Sequence, residues 1–170
     1  MKALFTCCIL LFTVKIFSQS PKEAIGAMKK LEFLEGVWKG KGWIKSNDKK
    51  QHFNETEKVK LRTGGTLLQI DIFGTAVDND SIVINNGLAI VNYDLQSGEY
   101  KMIFYQSDAS VATATVKLIA NNTAEINLQR KSGYTRFVIE IKNNQWFEQA
   151  FSSNDGKTWD QFFEMQLTRQ

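Results

Sequence analysis

Apolar positions recur along this chain in two periods. At Ser20-Pro21-Lys22-Glu23 a serine, a proline and a glutamate three places past the serine form a helix-start signature. Ile25, Met28, Leu31 and Leu34 follow at helical spacing, so one short amphipathic helix is expected to run to about Glu35, where Gly36 ends it. From Gly36 onward the alternation has period two and is broken by turn residues about every ten positions, which predicts about ten strands. Their expected cores are Val37–Ser46, Phe53–Thr63, Thr66–Thr75, Ile82–Tyr93, Tyr100–Ser107, Val111–Ala120, Ala124–Lys131, Thr135–Lys142, Gln145–Ser152 and Thr158–Thr168. The connectors, such as Asn47-Asp48, Gly64-Gly65, Asn121-Asn122, Ser132-Gly133 and Asn143-Asn144, are built from residues that accept the positive φ of tight hairpins.

Consecutive hairpins with no crossover helix give an all-β, antiparallel, up-and-down meander. About ten strands would leave two long free edges unless the sheet closes on itself, so a barrel with one short N-terminal helix is expected. A barrel of that size is wider than its side chains fill easily, which implies an interior cavity. Barrels of the outer membrane share the hairpin pattern but turn apolar residues outward. Here one strand face is repeatedly charged, as at Lys58, Lys60 and Arg62, and a soluble barrel follows.

The first 20 residues have another character. A basic start at Lys2, an apolar stretch from Ala3 to Val14 and a small-residue exit at Phe17-Ser18-Gln19-Ser20 read as a secretory signal peptide. The apolar run, about a dozen residues, is too short to cross a bilayer as a helix, so no integral membrane span is expected. Residues 21–170 then form a single domain, periplasmic or secreted. Export removes both cysteines, Cys7 and Cys8, and with them any disulfide or thiolate chemistry. It also removes Lys2 and Lys15, leaving 19 Lys+Arg against 18 Asp+Glu. The formal charge falls from +3 to +1, and a near-neutral surface argues against a nucleic-acid partner.

Gly36-Val37-Trp38-Lys39-Gly40-Lys41-Gly42-Trp43 carries the most information. On a strand, Gly36, Trp38, Gly40 and Gly42 share one face, so one large ring is followed by two missing side chains, and the strand can bend while a neighbouring backbone comes close. Trp38 is expected to plug one end of the barrel. If the first and last strands pair, Arg169 lies across the Trp38 ring as a cation–π partner. The helix, the Gly-x-Trp-x-Gly-x-Gly run and a meander ending in arginine resemble the calycin superfamily of lipocalin-like barrels, and more narrowly the uncharacterised domains of the DUF1579 type. Val91-Asn92-Tyr93-Asp94 followed by Gly98-Glu99-Tyr100, and the late turn from Ser152 to Trp159, are similar to that family as well. The resemblance implies a barrel with a ligand cavity and no known reaction. The nitrobindin-like haem barrels share the opening but bind haem through a histidine in the C-terminal half. The lone histidine here, His52, is expected on an exposed early turn, and Met102 and Met165 read as core, so no cofactor is expected and haem has no axial residue.

One histidine and no mature cysteine also remove metal clusters and most nucleophile–histidine arrangements. Carboxylates remain, as in two-carboxylate glycosidase chemistry. With Val59 and Leu61 inward, Glu55 and Glu57 are inward too; with Ile126 and Leu128 inward, so is Arg130. Glu57 and Arg130 are therefore expected to orient a ligand carboxylate or hydroxyl. By the same alternation Asn92, beside Leu88 and Ile90, and Gln106, beside Met102 and Phe104, are polar candidates, and Tyr105 and Tyr134 are expected at a rim. The stripe Trp159, Phe163, Met165 and Leu167 is expected in the core of the last strand. The function expected is binding of a small apolar or amphipathic molecule by a monomer or homodimer. Interaction with another envelope protein ranks second, and carboxylate-dependent catalysis third.

Overall fold

The computed structural model describes residues 21–47 and 49–170. The expected signal peptide, with Cys7, Cys8 and the helix-capping Ser20, lies outside the described residues, as does Asp48 of the first hairpin turn.

Helix α1 (Pro21–Lys29) is shorter than its apolar spacing suggests. Lys30 and Leu31 donate their amides to the carbonyls of Ala27 and Met28, three residues back, and a single 3-10 turn at Glu32–Leu34 completes the segment. The stripe that packs inward differs from the expected one at its start. Ala24, Ala27, Met28, Leu31 and Leu34 are buried, whereas Ile25 is exposed and lies near Gly65.

Ten strands follow: β1 (Gly36–Ser46), β2 (Lys49–Arg62), β3 (Leu67–Ala76), β4 (Asn79–Asp94), β5 (Glu99–Gln106), β6 (Val111–Ala120), β7 (Thr123–Arg130), β8 (Gly133–Lys142), β9 (Gln145–Ser153) and β10 (Asp160–Arg169). Each pairs antiparallel with the next, and β1 pairs with β10, so the sheet closes into a barrel with no free edge. The turns use the residues their backbone demands. Asn143 and Asn144 have φ of 54° and 60°, the paired positive values of a tight two-residue hairpin between β8 and β9. Asn47, at φ 48°, keeps β1 and β2 paired up to their turn. His52 is therefore on β2, opposite Trp43 and exposed, rather than on a loop.

Closure depends on glycines at one seam. Gly40 pairs with Leu167 and Gly42 with Met165. A Cβ on Gly40 would stand 2.0 Å from the Gln166 carbonyl oxygen, and one on Gly42 would meet Phe53 Cζ at 2.5 Å. Only a strand without side chains at these positions lets β10 approach.

One end of the barrel is sealed. Trp38 is fully buried, donates its indole N–H to the Leu34 carbonyl at 2.8 Å, and meets Trp146 edge to face at 5.5 Å between ring centroids. Arg169, its partner across the seam, places its guanidinium 4.2 Å from the Trp38 ring centroid. The same guanidinium donates to the backbone carbonyls of Glu35 and Phe33, which pins the segment after α1 to the last strand. Tyr100 donates its hydroxyl to the Ala27 carbonyl at 2.7 Å and fixes α1 over this end. Trp159 departs from expectation. A register shift between Gln161 and Phe163 changes the phase of β10, and Trp159 precedes the strand, its ring 4.3 Å from the guanidinium of Arg136.

Candidate functional site

The interior is largely apolar, and its buried charges form one cluster. Val59, Ile70, Ala89, Val91, Val116, Ile126, Ile139, Ile141, Met165 and Leu167 are buried around it, and Phe163 makes ring contacts with both Phe53 and Phe137. Among them sit three carboxylates, Glu55 at 3%, Glu57 at 5% and Glu148 at 8% exposure. Strand alternation puts all three inside. Glu55, Glu57 and Val59 share the inner face of β2, and Trp146, Glu148 and Ala150 that of β9.

The ladder decides what surrounds each one. Glu57 lies between Trp38 on β1 and Ile72 on β3. Glu55 lies between two glycines, Gly40 and Gly74, so no cross-strand side chain covers it. Its carboxyl rests over Gly74, where an added Cβ would come within 2.3 Å of Oε2. Glu148 lies between Ile139 on β8 and Met165 on β10, and its Oε2 accepts the Trp146 indole N–H at 2.9 Å.

Burial without compensating charge drives all three toward the protonated state. Desolvation, and then the nearby charge of Glu148, push Glu55 up to about 8. Glu57 is raised well above the ordinary carboxylate range by burial, then by Glu148 and Glu55. Glu148 is raised by burial to about 7, and the Trp146 N–H acts against the rise because it favours the anion. Both oxygens of Glu55 and Oε2 of Glu57 are buried with no hydrogen-bond partner among the described residues, as is the hydroxyl of Thr135, at 1% exposure. Buried acceptors in this state are costly, by about 1–3 kcal/mol each. Such an arrangement can bind hydrogen-bond donors or store protons.

Other residues singled out by sequence fall elsewhere. Arg130 has inward phase but ends β7 opposite Gly133, beyond the enclosed part of the barrel, and is exposed. Gln106 ends β5 in the same way and accepts a hydrogen bond from Ser110 Oγ at 2.7 Å. On β4 it is Ala89 and Val91 that are buried, which puts Asn92 on the opposite face. Tyr105 is 43% exposed on the outer face. There it borders a groove of about 630 Å³ lined also by Lys39, Lys58, Asp71, Phe73 and Leu88. The cluster therefore unites Glu57 and Glu55 with Glu148 and brings in neither Arg130 nor the polar candidates of β4 and β5. Glu148 was missed by sequence reasoning, although the alternation that turns Trp146 inward turns Glu148 inward with it.

These features define a closed, ten-stranded antiparallel barrel with an acidic cluster in an apolar interior. No protein-family model and no curated protein matches the sequence. Solved structures do match the fold. The crystal structure of Rv2717c from M. tuberculosis aligns with a TM-score of 0.63 at 14% identity, over 85% of this chain and 97% of that one. The S-type phycobiliprotein lyase CPES from Guillardia theta aligns with a TM-score of 0.59 at 9% identity, over 85% and 92%. At these identities the likeness is one of fold.

Proposed function

We propose that this chain is a binding protein of the lipocalin-like, DUF1579 type that holds a small, largely apolar molecule inside its barrel and works outside the cytoplasm. One observation carries the reading: buried, partnerless carboxylate oxygens stand in an otherwise apolar interior, the combination expected of a pocket with a few polar groups that orient a ligand. The leader pattern at 1–20 supports export. Native mass spectrometry of residues 21–170, with titrations that displace a fluorescent fatty-acid or retinoid probe, tests it. Stoichiometric binding of at least one apolar or amphipathic probe is the expected result, and failure of fatty-acid, retinoid, alkylamine and alkanol probes alike would overturn it.

A second reading rests on the outer groove, where Phe73 and Tyr105 are exposed beside Lys39 and Lys58. That surface suits an interaction with another envelope protein. Phe73→Ser would weaken such an interaction and leave interior binding untouched.

A further inference from the structure

We infer that the polar end of the interior ligand is a hydrogen-bond donor, above all an organic ammonium group, held by Glu55, Glu57 and Glu148. This rests on the interior-binding reading and names the ligand class for it.

The protein supplies these carboxylates with few donors. Glu55 and Glu57 are at least nine-tenths buried, and three of their oxygens meet no N–H or O–H among the described residues. Their cross-strand neighbours Gly40, Gly74, Trp38 and Ile72 bring no charge. Glu148 is flanked by Ile139 and Met165 and has one donor, the Trp146 indole. Lys39 and Lys58, next to the Trp38–Glu57 pair, point outward and are exposed, and Arg169, on the far side of the Trp38 pairing, donates to the Phe33 and Glu35 carbonyls. The charged groups facing one another here are thus the three glutamates, with Arg169 engaged at the sealed end.

The charge of the cluster also selects the class of the donor. Among the described residues no three acidic, histidine or cysteine side chains converge closely enough to hold a metal ion. The three carboxylates nevertheless sense one another's charge. A group that satisfies them has to present several N–H bonds from a charged head, as an ammonium on an apolar body does, with its body against the surrounding aliphatic and aromatic side chains. A ligand carboxylate, by contrast, would add a like charge to a buried acidic cluster and find no cation, because Arg130 lies at the exposed end of β7.

Three eight-carbon probes of matched shape test this: octylamine, octanol and octanoate, measured by isothermal titration calorimetry on residues 21–170. Octylammonium is expected to bind at least about tenfold more tightly than either, a difference of about 1.4 kcal/mol. Its affinity is expected to rise from pH 5 to pH 8 as the carboxylates ionise, while the amine stays charged. Glu55→Gln and Glu57→Gln should each lower octylammonium affinity about tenfold and leave octanol unchanged, with far-UV circular dichroism confirming the fold. Equal or tighter binding of octanoate or octanol, or octylammonium affinity indifferent to both substitutions, would overturn the inference while leaving interior binding intact. If fatty-acid and retinoid probes fail together with all three octyl probes, the interior-binding reading falls as well.

Discussion

Trp146 and Glu148 lie on the same face of β9, two residues apart, and the indole N–H of the first is the donor that steadies the carboxylate of the second at 2.9 Å. Removing that donor strands a buried anion. Trp146→Phe is expected to raise Glu148 further and to destabilise the fold by about 1–3 kcal/mol beyond the loss of packing, more at pH 8 than at pH 5. Thermal melts of the single variants and of the double variant with Glu148→Gln check this. The excess should vanish in the Glu148→Gln background, and an excess that persists there would show that the bond contributes nothing.

The whole cluster sets a pH dependence with a definite sign. Glu55, Glu57 and Glu148 all rise from 4.5, Glu55 to about 8 and Glu148 to about 7, so between those limits the folded chain holds more protons than the unfolded one. Stability therefore falls as pH rises through this window and is greatest near its acidic end. A melting temperature higher at pH 5 than at pH 8 is expected. Glu57→Gln should flatten the profile and raise the midpoint at pH 8, by about 2–4 °C for each kcal/mol gained. A profile that climbs toward pH 8 would contradict the burial of these groups.

Two glycines predict opposite outcomes. Gly40→Ala forces a methyl group to within 2.0 Å of the Gln166 carbonyl oxygen and should cost about 3 kcal/mol or more by prying β1 from β10. Gly26→Ala, on α1 with nothing within 4 Å of the new methyl, should stabilise by about 0.5–1 kcal/mol. Urea unfolding of both variants reads the contrast directly.

Arg169 is not replaceable by lysine. Its planar fork covers the Trp38 ring and donates to two separate carbonyls at once, which an ammonium on a flexible stem does not reproduce. Arg169→Lys is expected to cost about 1–3 kcal/mol and to speed amide exchange in β1 and β10 ahead of the other strands. Uniform exchange across the barrel would show that the seam is held without it.

Strand order and closure were legible because each hairpin announces itself locally. Asn143-Asn144 demands positive φ wherever it stands, and Gly40 and Gly42 expose a strand that something must approach. Depth along a strand was not legible. Alternation gives Arg130 and Gln106 the inward face but says nothing of where the enclosing wall stops, and both sit at strand ends. On β4 the run Leu88-Ala89-Ile90-Val91 is apolar on both faces, so the pattern carries no phase, and Asn92 was assigned to the wrong side. The register shift at Gln161 and Phe163 misled in the same way for Trp159, since one extra residue reverses every side chain beyond it. Of the acidic cluster, Glu55 and Glu57 could be read from Val59 and Leu61, while Glu148 needed only the same reasoning applied to Trp146.

The guanidinium that closes the seam reaches back across 134 residues to the carbonyl of Glu35. A chain still emerging from the ribosome can pair β1 with β2 alone until β10 is made, so closure of the barrel waits for its last strand. Its folding speed is then set by the meeting of distant ends, the slow regime of high contact order. Until that meeting, β1 and β10 each present an unpaired edge, which makes the interval before closure the period in which this protein is most exposed to aggregation.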